Sequence, residues 1–100
     1  MLGLSIHRWA ARSDDNRNAI VGALRAVGCT VYDLRRPVDL LVGVAGRTGL
    51  VEIKDGSKPP SRRKHTKAQT DFMATWPGGP VFTVMDVDGA LRAAAMLRGC

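Results

Sequence analysis

Two apolar runs dominate the pattern of hydrophobic and polar positions. Pro37-Val38-Asp39-Leu40-Leu41-Val42-Gly43 and Leu50-Val51-Glu52-Ile53-Lys54-Asp55 flank Ala45-Gly46-Arg47-Thr48-Gly49, a stretch with turn chemistry. Two β-branched-rich runs around such a turn predict a β-hairpin. Both runs are apolar at nearly every position, so both strands are expected to be central in a sheet.

The pattern on either side supplies the remaining elements. Ser13 followed by Asp14 and Asp15 reads as a helix start, and Ile20, Val21, Leu24 and Val27 recur at helical spacing up to the stop at Gly28. Cys29 to Leu34 alternates as a strand. Pro59-Pro60 stiffens the loop after the hairpin. Thr66 caps a helix over Lys67 to Trp76 with Phe72, Met73 and Trp76 on its apolar face, ended by Pro77-Gly78-Gly79-Pro80. Val81 to Met85 is a strand. Asp86 caps a last helix through Leu97, expected to pack Leu91, Ala94, Ala95 and the residues around Leu97 on the sheet, with Gly99 closing it. The expected order is helix, three strands, helix, strand, helix: an α/β chain. Residues 1–12, with Leu4, Ile6 and Trp9, read as an N-terminal arm, Trp9 as a core or dimer-contact residue.

The acids inside the apolar runs change this picture. Asp39 lies within Val38-Leu40-Leu41-Val42, and Glu52 lies between Val51 and Ile53. Strand side chains alternate, so Glu52 and Lys54 share a face, and strand pairing can bring Asp39 beside Glu52. Two carboxylates converging in an apolar sheet repel each other and are poorly solvated. A divalent cation relieves both problems, and carboxylate, carbonyl and water oxygens suit Mg²⁺ or Mn²⁺. Lys54 then lies near a phosphate or an activated water, which fits metal-assisted phosphodiester hydrolysis. The plainer reading of an E-x-K pair is a solvated face or a surface ion pair. Apolar neighbours on both sides of both acids argue against it.

Composition narrows the partner. One hundred residues support one core and one domain. A net charge of +6 favours a polyanion, nucleic acid before a membrane surface. Arg35 and Arg36, directly before Pro37, can hold phosphates bidentately or simply cover a strand end. Lys58, Arg62, Arg63, Lys64 and Lys67 form the densest positive run, a phosphate-backbone clamp if it lies beside the acids. Cys29 and Cys100 have no zinc-type spacing, and neither His7 nor His65 has a partner at ligand spacing. Cys29 is expected to be a buried free thiol, as in a reduced cytoplasm. No stretch reaches the ~20 apolar residues of a membrane span, and the N-terminus is too short in apolar length for a signal peptide.

Pro37-Val38-Asp39 and Glu52-Ile53-Lys54, twelve residues apart, resemble the PD-(D/E)xK motif of the restriction-endonuclease-like nucleases. With Glu52-Ile53-Lys54-Asp55-Gly56 and the basic loop after it, the pattern is similar to small stand-alone VRR-NUC and Holliday-junction-resolvase-like members, many of them phage-encoded. The resemblance spans roughly residues 13–98. It implies a restriction-endonuclease-like αβββαβ core with a mixed central sheet and an added C-terminal helix. It implies Asp39, Glu52 and the Ile53 backbone carbonyl as ligands of Mg²⁺ or Mn²⁺, Lys54 as the catalytic lysine, and Gln69 as a fourth site residue. Ala19, or at best Asn18, stands where the family often has a first-helix acid, a departure that bears on a second metal.

The function these features imply is metal-dependent DNA cleavage, selective for a junction, flap or branched structure because no base-reading module is evident, by a homodimer in the cytoplasm (that of the host if the chain is phage-encoded). The alternative is a non-catalytic nucleic-acid-binding subunit of a recombination or replication complex. A third reading, a small interaction protein with merely solubilising charges, sits poorly with the buried acids.

Overall fold

The structure, a computed structural model, describes residues 16–99. The expected arm over residues 1–12, the helix start at Ser13 to Asp15, and Cys100 lie outside the described residues.

The chain is α/β, and its elements follow the order expected from the pattern. Helix α1 is described over residues 16–26. Strands β1 (Thr30–Asp33), β2 (Leu40–Val44) and β3 (Arg47–Ile53) follow, then a 3-10 turn at Pro60–Arg62, helix α2 (Lys67–Thr75), strand β4 (Val81–Val84) and helix α3 (Val87–Arg98). The four strands form one sheet in the order β1-β2-β3-β4. The β1–β2 and β2–β3 pairs are antiparallel, while β3 and β4 run parallel. The sheet is therefore mixed, with β2 and β3 in its interior.

One face of the sheet carries the core. Val31, Leu40, Val42, Val51 and Val84 pack there with Ile20 and Leu24 of α1 and with Ala90, Ala93, Ala94 and Leu97 of α3. Alternation puts Glu52 and Leu50 on the opposite face from Val51, and Leu50 is buried outside this cluster. The buried set of α3 differs from the expected one. Leu91 and Ala95 are exposed, because the stripe that meets the sheet runs through Ala90, Ala93, Ala94 and Leu97. Val27 likewise lies beyond the end of α1 and is exposed. Asp86 caps α3 by accepting the Gly89 N–H at 2.7 Å, and Gly99 ends it at φ 88°.

The hairpin turn is tighter than its composition suggests. Only Ala45 and Gly46 form it, both at positive φ (54° and 77°), the geometry of a type I′ turn. Arg47, Thr48 and Gly49 belong to β3. Gly49 lies close under α3 and β4: a Cβ at this position would meet the Leu97 methyls at 3.1 and 3.2 Å and the Phe82 ring at 3.4 Å.

Helix α2 stays outside the core. It has no buried residue, Phe72 and Met73 are only half-buried, and Trp76 stacks on Phe72 at 5.2 Å while staying largely exposed. Its expected apolar face is real, but it does not enter the core.

Candidate active site

The β2–β3 register pairs Leu40 with Val51. Extending that antiparallel register by one residue sets Asp39 opposite Glu52. Asp39 is not inside the strand, as expected from the sequence, but immediately before it. The backbone turns there: Leu34 and Arg35 both donate their N–H to the Asp39 carbonyl, at 2.8 and 3.4 Å, and Arg35 adopts φ 70°. The Asp39 side chain is aimed at β3, and its Oδ2 accepts the Ile53 N–H at 2.8 Å.

Glu52 is 4% exposed. Its Oε2 accepts from Gln69 Nε2 at 2.5 Å and lies 3.2 Å from Lys54 Nζ. Lys54 in turn donates to Gln69 Oε1 at 3.0 Å. The other carboxylate oxygen, Oε1, is buried and has no hydrogen-bond partner. Burial pushes the Glu52 carboxyl above the ordinary carboxylate range, the nearby charge of Asp39 adds to the rise, and Lys54 offsets part of it. Asp39, Glu52, Lys54 and Gln69 are thus brought together. Gln69 reaches the group through the start of α2. Its backbone N–H donates to Thr66 Oγ1 at 3.1 Å, and its Oε1 also accepts the Thr66 N–H at 3.0 Å, a reciprocal capping box. The Thr66-Lys67-Ala68-Gln69 spacing is the sequence signal for that arrangement.

The first helix contributes differently from the expectation. Asn18 and Ala19 are both exposed. The residues that reach inward are Asn16, whose Nδ2 donates to the Lys54 carbonyl at 3.2 Å, and Arg17. Arg17 Nη1 lies 3.3 Å from Asp39 Oδ1 and Nη2 lies 2.6 Å from Asp33 Oδ1. Arg17 stands three residues before Ile20 and seven before Leu24, on the buried stripe of α1, where a charge needs a partner. That position was the available clue to it.

The basic residues divide into two groups. Arg35 and Arg36 are exposed and, with Arg17, Asp33 and Asp39, line an open cleft of about 460 Å³ beside the acid pair. Lys58 and Lys64 are exposed in the loop after β3, and Arg62 closes the 3-10 turn. Arg63 instead turns inward, with Nη1 3.6 Å from Met85 Sδ. Lys67 pairs with Asp71 at 3.0 Å along α2. The positive run is therefore less uniformly presented than its sequence suggests.

The oxygens that could hold a single Mg²⁺ or Mn²⁺ are those of Asp39, Glu52 and the Ile53 carbonyl. Among the described residues no three His, Cys, Asp or Glu side chains converge. Mg²⁺, however, is commonly held by one or two carboxylates plus water and substrate phosphate. The unpartnered, buried Glu52 Oε1 beside Asp39 is the donor such an ion would satisfy. The Ile53 carbonyl belongs to the same residue whose N–H fixes Asp39.

Compared with protein-family models, with curated proteins and with solved structures, the chain matches none. Among the described residues no helix is long and apolar enough to cross a membrane.

Proposed function

We propose that the chain is a Mg²⁺- or Mn²⁺-dependent DNA endonuclease of the restriction-endonuclease-like kind. One observation carries the reading: a buried carboxylate with an unpartnered oxygen, facing a second carboxylate and sharing its other oxygen with a lysine and a glutamine. Two acids and a lysine held this way cost stability, and a phosphodiester-cleaving site is the chemistry that uses them together.

Asp39 and Glu52, with the Ile53 carbonyl, would hold the ion. When bound, the ion activates water and neutralises charge on the phosphate. Lys54, its ammonium held by Glu52 and Gln69, has one N–H left to donate to a non-bridging phosphate oxygen or to the attacking water. Gln69 fixes the spacing between Glu52 and Lys54. Arg35 and Arg36 at the cleft, and Lys58 and Lys64 in the loop, bind backbone phosphates and so favour shape over sequence. Water attacks the phosphorus in line and gives up a proton to solvent, the bond to one ester oxygen breaks and that oxygen takes up a proton, with no covalent protein intermediate. A homodimer presents two such sites to two strands of a branched substrate.

A specific observation favours a second reading, a non-catalytic DNA-binding subunit. The first helix directs Arg17, a cation, at Asp39. Cleavage of labelled four-way junction, flap, single-stranded and duplex DNA decides between them, with Mg²⁺, Mn²⁺ or chelator, beside Asp39→Asn and Lys54→Ala. Metal-dependent cutting lost in both variants supports the nuclease. Metal-independent binding with no cutting supports the subunit.

A further inference from the structure

Arg17 does more than cover a helix flank. Its side chain is 20% exposed, and it spans Asp33 at the end of β1 and Asp39 immediately before β2. Asp39 already gives Oδ2 to the Ile53 N–H, so the Arg17 contact engages its second oxygen. Lys54 plays a matching part toward Glu52, 3.2 Å from its Oε2. The two carboxylates are thus flanked by two cations from different elements. The Arg17 contact to Asp33 is the shorter of its two, at 2.6 against 3.3 Å, so its charge is shared and not committed to Asp39.

We propose that Arg17 is the internal counter-ion of the acid pair: it stands in for a divalent cation at Asp39 and, by repelling that cation, sets how tightly the pair binds it, while Asp33 draws the guanidinium away. This rests on the metal-site reading above. A guanidinium and a dication on one carboxylate lie within a few ångströms of each other. Even at a water-like effective dielectric, that repulsion weakens binding by about tenfold. Removing Arg17 releases the repulsion. Removing the Asp33 charge leaves Arg17 wholly to Asp39 and increases it.

The test is calorimetric titration of Mn²⁺ into the chelator-treated full chain, with folding followed by circular dichroism. Arg17→Gln binds Mn²⁺ about tenfold more tightly than the wild type, and Asp33→Asn binds it more weakly. Arg36→Gln removes a charge from the same cleft without the Asp39 contact and shifts affinity much less. A folded Arg17→Gln with equal or weaker affinity overturns the proposal, as do equal shifts in Arg17→Gln and Arg36→Gln. Should Arg17→Gln not fold, Arg17→Met decides: tighter binding than the wild type supports the proposal, and unchanged or weaker binding overturns it. Asp39→Asn separates the two levels. If it retains wild-type affinity, or if neither the wild type nor Arg17→Gln binds Mn²⁺, the metal-site reading falls and this proposal with it.

Discussion

Glu52→Gln should make the metal-free protein more stable, although it removes a central site residue. The wild-type carboxylate is buried, faces Asp39 and leaves Oε1 unpartnered. An unsatisfied buried polar atom costs about 1–3 kcal/mol. In the variant the amide nitrogen takes the Oε1 position and donates to Asp39, while the amide oxygen keeps the bonds from Gln69 and Lys54. Those bonds weaken because their acceptor is no longer charged, which returns about 1 kcal/mol of the gain. The net gain is about 1 kcal/mol, or roughly 4–8 °C in Tm for a domain of this size.

Its pH dependence follows from the direction of the Glu52 shift. A carboxyl raised in the folded state binds its proton more tightly folded than unfolded. Wild-type stability therefore falls as pH rises from the ordinary glutamate value through the raised one. The advantage of Glu52→Gln is largest above the raised Glu52 pKa and closes near the ordinary glutamate pKa. Thermal unfolding by circular dichroism in chelator, across that range, measures it. Mg²⁺ should raise the Tm of the wild type and leave the variant unmoved. A variant that melts below the wild type in chelator at the alkaline end of that range, or a gap that does not change with pH, refutes the reasoning.

Gln69→Ala removes both the Glu52–Lys54 bridge and half of the capping box; cleavage should fall sharply, and stability by about 1 kcal/mol, in single-turnover assays and denaturant titrations respectively. Arg36→Gln and Lys58→Gln should each weaken DNA binding regardless of sequence and lower the slope of log K against log salt by about 1, read by fluorescence anisotropy at several salt concentrations. Ala45→Asn should stabilise the hairpin by about 0.5–1 kcal/mol in denaturant titration, because Ala45 occupies a left-handed conformation that Asn tolerates better.

Much of the fold was legible because each element carries its own period. Ile20 and Leu24, the paired apolar runs and the Asp86 cap each follow from local rules. Gly49 misled because glycine was read as turn chemistry, whereas its reason is the approach of Leu97 from α3, a contact between residues far apart in sequence. Leu91 misled because a helix stripe has two flanks, and only packing selects one. At the candidate site, Asp39, Glu52 and Lys54 were visible as charges within apolar runs, and the register that joins them follows from the hairpin. Arg17 and Asp33 were not visible as a pair. Their meeting depends on how α1 lies across the sheet, which no local spacing encodes.

The capping box at Thr66 and Gln69 ties two events that most proteins keep apart. The side chain that starts α2 is also the one that spans Glu52 and Lys54. Because α2 has no fully buried residue, with Phe72 and Met73 only half-buried, it is expected to open below the global unfolding free energy. Each fraying of its first turn carries Gln69 away from Lys54. On warming, the geometry around Glu52 should therefore be lost while the sheet and α3 are still intact, and amide exchange at Gln69 and Thr70 should keep time with that loss.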